Sequence, residues 1–402
     1  MLNAFGTEGS RKVYSAYAEV DAPVLDMVTI NASGRYDKYS SGQSAFSPKA
    51  GVRVTPIEGL TVRGTWSRGF RIPSFGEANA LPTTGFVGNT SGIFNDSFLA
   101  QYGCSLATYA SCPAYIRGGS YGQTTLASPD LKPEKSTSWT AGFIFNPVRN
   151  ITLSVDYYNI KKTGAITTPD LSEGINAYYS GQPIPDIFNI IPDAADPDRP
   201  NALPRIAFIQ ANLINSDTIK SEGLDFEASG RFDLGGGFTF SSSLQASYII
   251  NLSTTVNGVV QSYEGTSGNF NLTAGSGTPE WHGSWQNTLE WGKFAVTGTI
   301  EYFGGYNLSA EDQGTESGDC GLLSTDPSGQ YANCNVSSYV TVDLNTQYKV
   351  NDQFTFYVNV INLFDNLPPV DPITYGANNF NPVQGGTGIF GRQFRAGVKV
   401  GF

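Results

Sequence analysis

Apolar and polar residues alternate one by one along most of this 402-residue chain. The clearest case is Val340–Val350. There Val340, Val342, Leu344, Thr346, Tyr348 and Val350 share one parity, and Thr341, Asp343, Asn345, Gln347 and Lys349 the other. Successive side chains of a strand point to opposite sides, so this segment has one apolar and one wet face. The period recurs at Tyr14–Val20, Val28–Tyr36, Ala50–Val54, Leu60–Trp66, Trp139–Phe145, Ile151–Tyr157, Leu224–Phe232, Phe238–Tyr248, Trp281–Trp291, Phe294–Tyr302 and Phe354–Val360. It closes the chain in Gly391–Phe402, with Phe394, Ala396, Val398, Val400 and Phe402 opposing Gln393, Arg395, Gly397, Lys399 and Gly401. The pattern predicts about thirteen strands in hairpin order, and helical periodicity is nowhere convincing.

The connections sort into two kinds. Tight turns fall at Asp21–Leu25, Pro56–Gly59, Asn146–Asn150, Asp233–Gly237, Trp291–Lys293 and Val350–Gln353. Long polar, aromatic-rich loops cover about 72–133, 163–217, 251–279, 307–337 and 364–388, with a short link at 38–46. Short turns on one side and long loops on the other mark an outer-membrane barrel. Strands of about 10–13 residues suit a tilted crossing. Aromatic residues gather near strand ends, where interfacial girdles lie. A soluble sandwich would need a second sheet to cover each apolar face, and its loops would not sort by side. The expected fold is therefore all-β, a transmembrane antiparallel up-and-down barrel spanning 1–402. Val342 and Val398 are expected on its lipid face at mid-bilayer depth, and Asn345 on its lumen face.

Composition sharpens this picture. Charged residues make up 15% and aromatic residues 13%, and mean hydropathy is -0.20, as averaging two strand faces would give. No apolar run reaches about 18 residues, so no transmembrane helix is expected. A net charge of -11 argues against a nucleic-acid partner. The four cysteines form two close pairs, Cys104 with Cys112 and Cys320 with Cys334, both in loop-like stretches. Their spacing and the single His282 speak against a metal centre, and two local disulfides of an oxidising compartment fit better. The first residues lack a signal-peptide pattern, so the chain is expected to be part of something longer.

Several stretches resemble TonB-dependent outer-membrane receptors, and in that family's order. Phe70, Arg71 and Pro73 lie in an FRIPS element opening a long loop; Leu131, Pro133 and Glu134 form an LKPE entry to the next strand. Gly223 and Glu227 are similar to the family's GxExE strand. Asn362, Leu363, Phe364 and Asp365 spell NLFD, and Gly391 and Arg392 lead into a last strand ending in Phe402. The resemblance implies a barrel of about 22 strands with a plug ahead of it. Plug, TonB-contacting box and first strands are missing here, so the chain is expected to be a C-terminal portion. It also implies energy-coupled nutrient uptake, with a siderophore, saccharide or similar ligand, in the outer membrane of a Gram-negative cell. The implied partners are membrane lipid, TonB–ExbB–ExbD acting through the plug, and the barrel-assembly machinery at the C-terminal strand. The alternative is a passive porin-like channel or adhesin barrel. Proline lacks an amide donor and suits strand entry and exit, so these motifs also read as structural punctuation.

No cofactor or catalytic motif is evident, and the expected protein is not an enzyme. His282 falls on the lumen side with Ser284, Gln286 and Glu290, as lining or as a ligand contact. Tyr102, Tyr109, Tyr115 and Tyr121 in the first long loop could stack on a sugar or aromatic ligand, or pack the loop. Loops 163–217 and 307–337 are acidic, the latter through Glu311, Asp312, Glu316, Asp319 and Asp326. Their carboxylates could hold Ca²⁺ or simply face solvent.

Overall fold

The computed structural model describes residues 8–80, 82–256, 258–266, 278–307, 335–371, 380–386 and 388–401. Thirteen strands form one antiparallel wall in hairpin order. They are β1 (Val13–Leu25), β2 (Val28–Tyr39), β3 (Ser44–Ile57), β4 (Leu60–Arg71), β7 (Glu134–Val148), β8 (Ile151–Thr167), β11 (Ile214–Gly235), β12 (Phe238–Val256), β14 (Trp281–Trp291), β15 (Phe294–Phe303), β18 (Tyr339–Lys349), β19 (Phe354–Ile361) and β20 (Gln393–Val400). Short β13 (Val259–Ser262) pairs with the outer end of β12, and β16 (Tyr306–Asn307) with β17 (Asn335–Val336). Among the described residues, β1 pairs only with β2, and β20 only with β19.

Between irregularities near the strand ends, register carries each parity around the wall. On one face Val342 stands opposite Ile300 and Ile300 opposite Trp285; on the other, Asn345 faces Thr297 and Asn359. The apolar face has no covering layer: Val20, Val52, Val62, Phe143, Trp285 and Val358 are exposed. Such a face in water would be costly at about 25 cal/mol per Å². A bilayer around the wall would remove that cost. Two aromatic belts bound it. The inner belt, beside the short turns, runs Phe238, Trp291, Phe294, Tyr348, with neighbouring ring centroids 4.6–6.2 Å apart. The outer belt holds Trp66 against Trp139 at 6.1 Å and Tyr248 against Trp281 at 4.7 Å. Trp281 and Trp291 end the same strand, so the belts lie roughly 33 Å apart along it. Tilt reduces that to about 25 Å, the height of a lipid-facing barrel band.

Two expectations need correction. The first turn is not at Asp21–Leu25, because β1 runs on to Leu25 and pairs with Val28 there. Pro23, opposite Thr29 on the polar parity, is tolerated because β1 is paired on one side only among the described residues. The second concerns Val398. It pairs with Phe356, next to Tyr348 of the inner belt, so it lies at the interface and not at mid-depth.

The two longest loops are not irregular. They contain helices α1 (Phe75–Asn79), α2 (Asp96–Ala100), α3 (Ala114–Arg117) and α4 (Leu171–Tyr179), and strands β5 (Thr83–Gly88), β6 (Ser120–Leu126), β9 (Phe188–Pro192) and β10 (Ile206–Asn212). A further turn, α5 (Pro382–Gly385), lies in the last loop. The four loop strands join as β5-β6-β10-β9, with β6 and β10 parallel. This cap holds the main buried apolar cluster among the described residues: Phe98, Leu99, Ile116, Ile209 and Ala211 are closed off from solvent.

Candidate functional site: the lumen wall and its outer cap

The polar parity lines the lumen. Near its outer half, Asp156, Asp225, Glu227 and Glu301 surround a hollow of about 370 Å³, together with Arg63, Gln245, Ser247, His282 and Ser284. Arg63 grips Asp156 through Nε at 2.9 Å and Nη2 at 2.5 Å. Ser247 donates to Asp225 at 2.6 Å and Ser284 to Glu301 at 2.8 Å. Four carboxylates thus face one guanidinium and one imidazole. His282, opposite Ser247 and Phe303, belongs to this wall and lies far along the chain from the loop tyrosines. Nearer the short turns a second hollow of about 380 Å³ is lined by Arg149, Thr152, Ser229, Arg231, Ser241, Ser243 and Gln286. There Arg231 pairs with Glu290 at 2.8 Å.

Above the outer belt, the FRIPS and LKPE residues brace the foot of the cap. Arg71 donates to Glu134 at 2.7 and 2.8 Å and to Glu77 at 2.9 Å twice. Glu134, only 2% exposed, also accepts the Ile166 amide at 2.8 Å and has Lys162 at 3.5 Å. Hydrogen bonding from Arg71 holds the Glu134 carboxyl down at about 2, against the opposing effect of burial. Glu77 is lowered by the same guanidinium. Ser74 and Glu77 form a capping box that starts α1 as the chain leaves β4. Pro73 presents its carbonyl to Arg11 at 2.9 Å; Leu131, buried, presents its own to Gln43 at 3.0 Å. Pro133 needs no donor where β7 begins.

The NLFD residues fasten the last hairpin. Asn362 and Asp365 adopt positive φ of 54° and 61°, which short hydrogen-bonding side chains tolerate. The Asn362 amide donates to Asp343 at 2.8 Å, and Leu363 donates its amide to Val342 O at 2.7 Å. Asp365 accepts the Arg392 amide at 2.7 Å, close against Gly391, where a Cβ would meet Oδ1 at 2.6 Å. Phe364 projects, 63% exposed. Phe402 lies outside the described residues.

In the cap, Cys104 and Cys112 are joined by a disulfide. Cys320, Cys334 and the carboxylates Glu311 to Asp326 lie outside the described residues. Tyr102 and Tyr121 are 1% and 4% exposed inside the core, so of the two roles open to them the structure supplies packing. Tyr109 and Tyr115 pack at its edge, Tyr115 stacked on Tyr102 at 5.7 Å and carrying the Arg205 guanidinium over its ring at 4.7 Å. Burial pushes the Tyr178 hydroxyl up to about 12, and those of Tyr102, Tyr109, Tyr115 and Tyr179 upward as well. The loop carboxylates are partly structural too. Asp170 caps α4, Asp193 pairs with Arg205 at 2.7 Å, and Asp196 with Arg199 at 3.6 Å. Among the described residues no group of three or more His, Cys, Asp or Glu side chains is arranged to hold a metal.

An uncovered apolar outer face, a polar lumen face rich in carboxyl and guanidinium side chains, and a built cap at the long-loop end are the features of an outer-membrane β-barrel wall. Comparison with known families agrees: the profile of the TonB dependent receptor-like β-barrel matches residues 3–363, and the chain belongs to that family. Solved structures with the same fold include the siderophore receptor PirA from Acinetobacter baumannii (16% identity, TM-score 0.62, covering 98% of this chain and 46% of that one). A point mutant of the ferric enterobactin receptor PfeA from Pseudomonas aeruginosa is similar (15%, 0.59, 98% and 45%), as is the FrpB iron transporter from Neisseria meningitidis (15%, 0.54, 96% and 45%). The chain thus spans less than half the length of these receptors. A search of curated protein sequences returned no match.

Proposed function

We propose that this chain is the wall of an outer-membrane receptor that imports a scarce nutrient by TonB-coupled transport. One observation carries the reading: Asp225, Glu227 and Glu301 line the lumen in an excess that Arg63 alone does not balance. An acidic excess in this outer hollow suits a barrel filled there by a cation-bearing plug better than an open channel. In this reading TonB–ExbB–ExbD acts through the plug, the barrel-assembly machinery inserts the strands, and no reaction is catalysed. The outer edges of β1 and β20, without a partner strand among the described residues, would be closed by pairing in a larger barrel.

Uptake by cells carrying the complete receptor, with and without intact ExbB, tests the reading. Accumulation of ligand against a gradient should vanish without ExbB. Unchanged uptake in its absence would overturn the coupling and leave a passive channel.

A further inference from the structure

The cap sheet has two faces, and only one is used by the cap's core. Tyr121, Ile209, Ala211 and Phe188 point into that core, where α4 packs so closely that a Cβ on Gly174 would meet Phe188 at 2.8 Å. On the opposite face a row runs in register across all four strands: Phe86, Gly122, Phe208, Ile191. Gly122 has no Cβ, and the Phe208 ring fills the space where one would stand, 2.3 Å away. Phe86 meets Phe208 edge to face at 5.9 Å. Phe86 remains 64% exposed and Ile191 41%.

Two residues along each strand lies a second row on the same face: Thr84, Thr124, Gln210, Asn189. The threonine hydroxyls are 2.8 Å apart, and Asn189 Nδ2 donates to Gln210 Oε1 at 2.7 Å. Asn189 Oδ1 and Gln210 Nε2 remain available, an acceptor beside a donor. Reversing both amides leaves the same complement, so the chemistry does not depend on their assignment.

A pyranose ring has an apolar C–H face and a rim of vicinal hydroxyls, each able to donate and accept at once. An apolar ring row beside an amide couple complements both features. Neither row contains a charged residue. Arg199 and Arg205 are already paired with Asp196 and Asp193, so neither offers a free cation to an anionic ligand. Resting on the receptor reading above, we propose that this face of the cap is a binding platform for an uncharged oligosaccharide. Four strands span about 14 Å and two rows about 7 Å, room for two or three hexose units.

The complete receptor, purified in a detergent without a sugar headgroup, is titrated with neutral di- and trisaccharides of glucose, xylose and mannose by isothermal calorimetry. At least one should bind. Phe86→Ala and Gln210→Ala should each weaken it at least tenfold, and Phe86→Trp should retain it. A variant in the short turn at the far end of the wall, Glu58→Gln, should bind unchanged. Near-ultraviolet circular dichroism identifies any variant whose cap has not folded, and Phe86→Trp then carries the comparison. No binding by any of these sugars would overturn the proposal, as would equal affinity in Phe86→Ala and Gln210→Ala or tighter binding of uronic-acid analogues. Energy-dependent uptake of some other ligand alongside absent sugar binding would leave the receptor reading standing. Sugar binding with ExbB-independent uptake would do the reverse.

Discussion

Depth in the membrane should govern what a charge costs on this wall. Val342 lies on the lipid face, six residues from Tyr348 of the inner belt, roughly 20 Å along the strand and about 15 Å higher once tilt is included. That is well inside a band of about 25 Å, so Val342→Arg should cost about 2–4 kcal/mol. Val398 pairs with Phe356 at the inner belt. There Val398→Arg should cost about 0–1 kcal/mol, since the side chain reaches the headgroups. Asn345→Arg, of opposite parity to Val342 and facing Thr297 and Asn359 in the lumen, should cost little. The assay is urea titration of the receptor folded into lipid vesicles, followed by heat-modifiable gel mobility. The expected order of loss is Val342, then Val398, then Asn345. Equal cost at Val342 and Asn345 would mean that the faces are misassigned, and equal cost at Val342 and Val398 would refute the belt positions.

Three more outcomes are expected. Glu134→Gln should loosen the foot of the cap, speeding protease cleavage within 72–133 while the wall keeps its heat-modifiable mobility. Because folding depresses the Glu134 carboxyl, its stabilisation is complete above about 4.5 and is lost as pH falls toward about 2; pepsin sensitivity of the cap should rise over that window in the wild type and stay flat in Glu134→Gln. Replacing Cys104 and Cys112 together by Ser should destabilise the cap by about 2.5 kcal/mol, the chain-entropy value for a loop this short, without changing the wall's urea midpoint. Asp365→Ala removes the acceptor of the Arg392 amide and should raise hydrogen exchange there at least tenfold, while strand positions of the neighbouring β19 such as Val358 keep their wild-type rates.

The wall was legible because each position faces either lipid or water, so a period of two survives in residues such as Ile300 and Thr299. His282 reached its lumen position by the same count. The cap was hidden for a physical reason. Its core draws Phe98, Tyr102 and Ile116 from one loop and Ile175, Phe188 and Ile209 from another, through helices too short to show a helical period. Local signals were nonetheless present. Ser74 and Glu77 have capping-box spacing, and Asp170 opens α4 before Gly181, at φ 64°, closes it. No local signal reveals the parallel pairing of β6 with β10, which joins segments on either side of an intervening hairpin.

That pairing sets an order of events in assembly. Bringing β6 to β10 through a free chain of roughly 85 residues would cost about 4 kcal/mol in closure entropy. Once β7 and β8 have crossed the membrane as a hairpin, their outer ends already hold the two segments side by side, and most of that cost has been met. On this account closure of the cap costs least on a wall whose β7 and β8 are already paired, so a register error in that hairpin would also be felt in the cap.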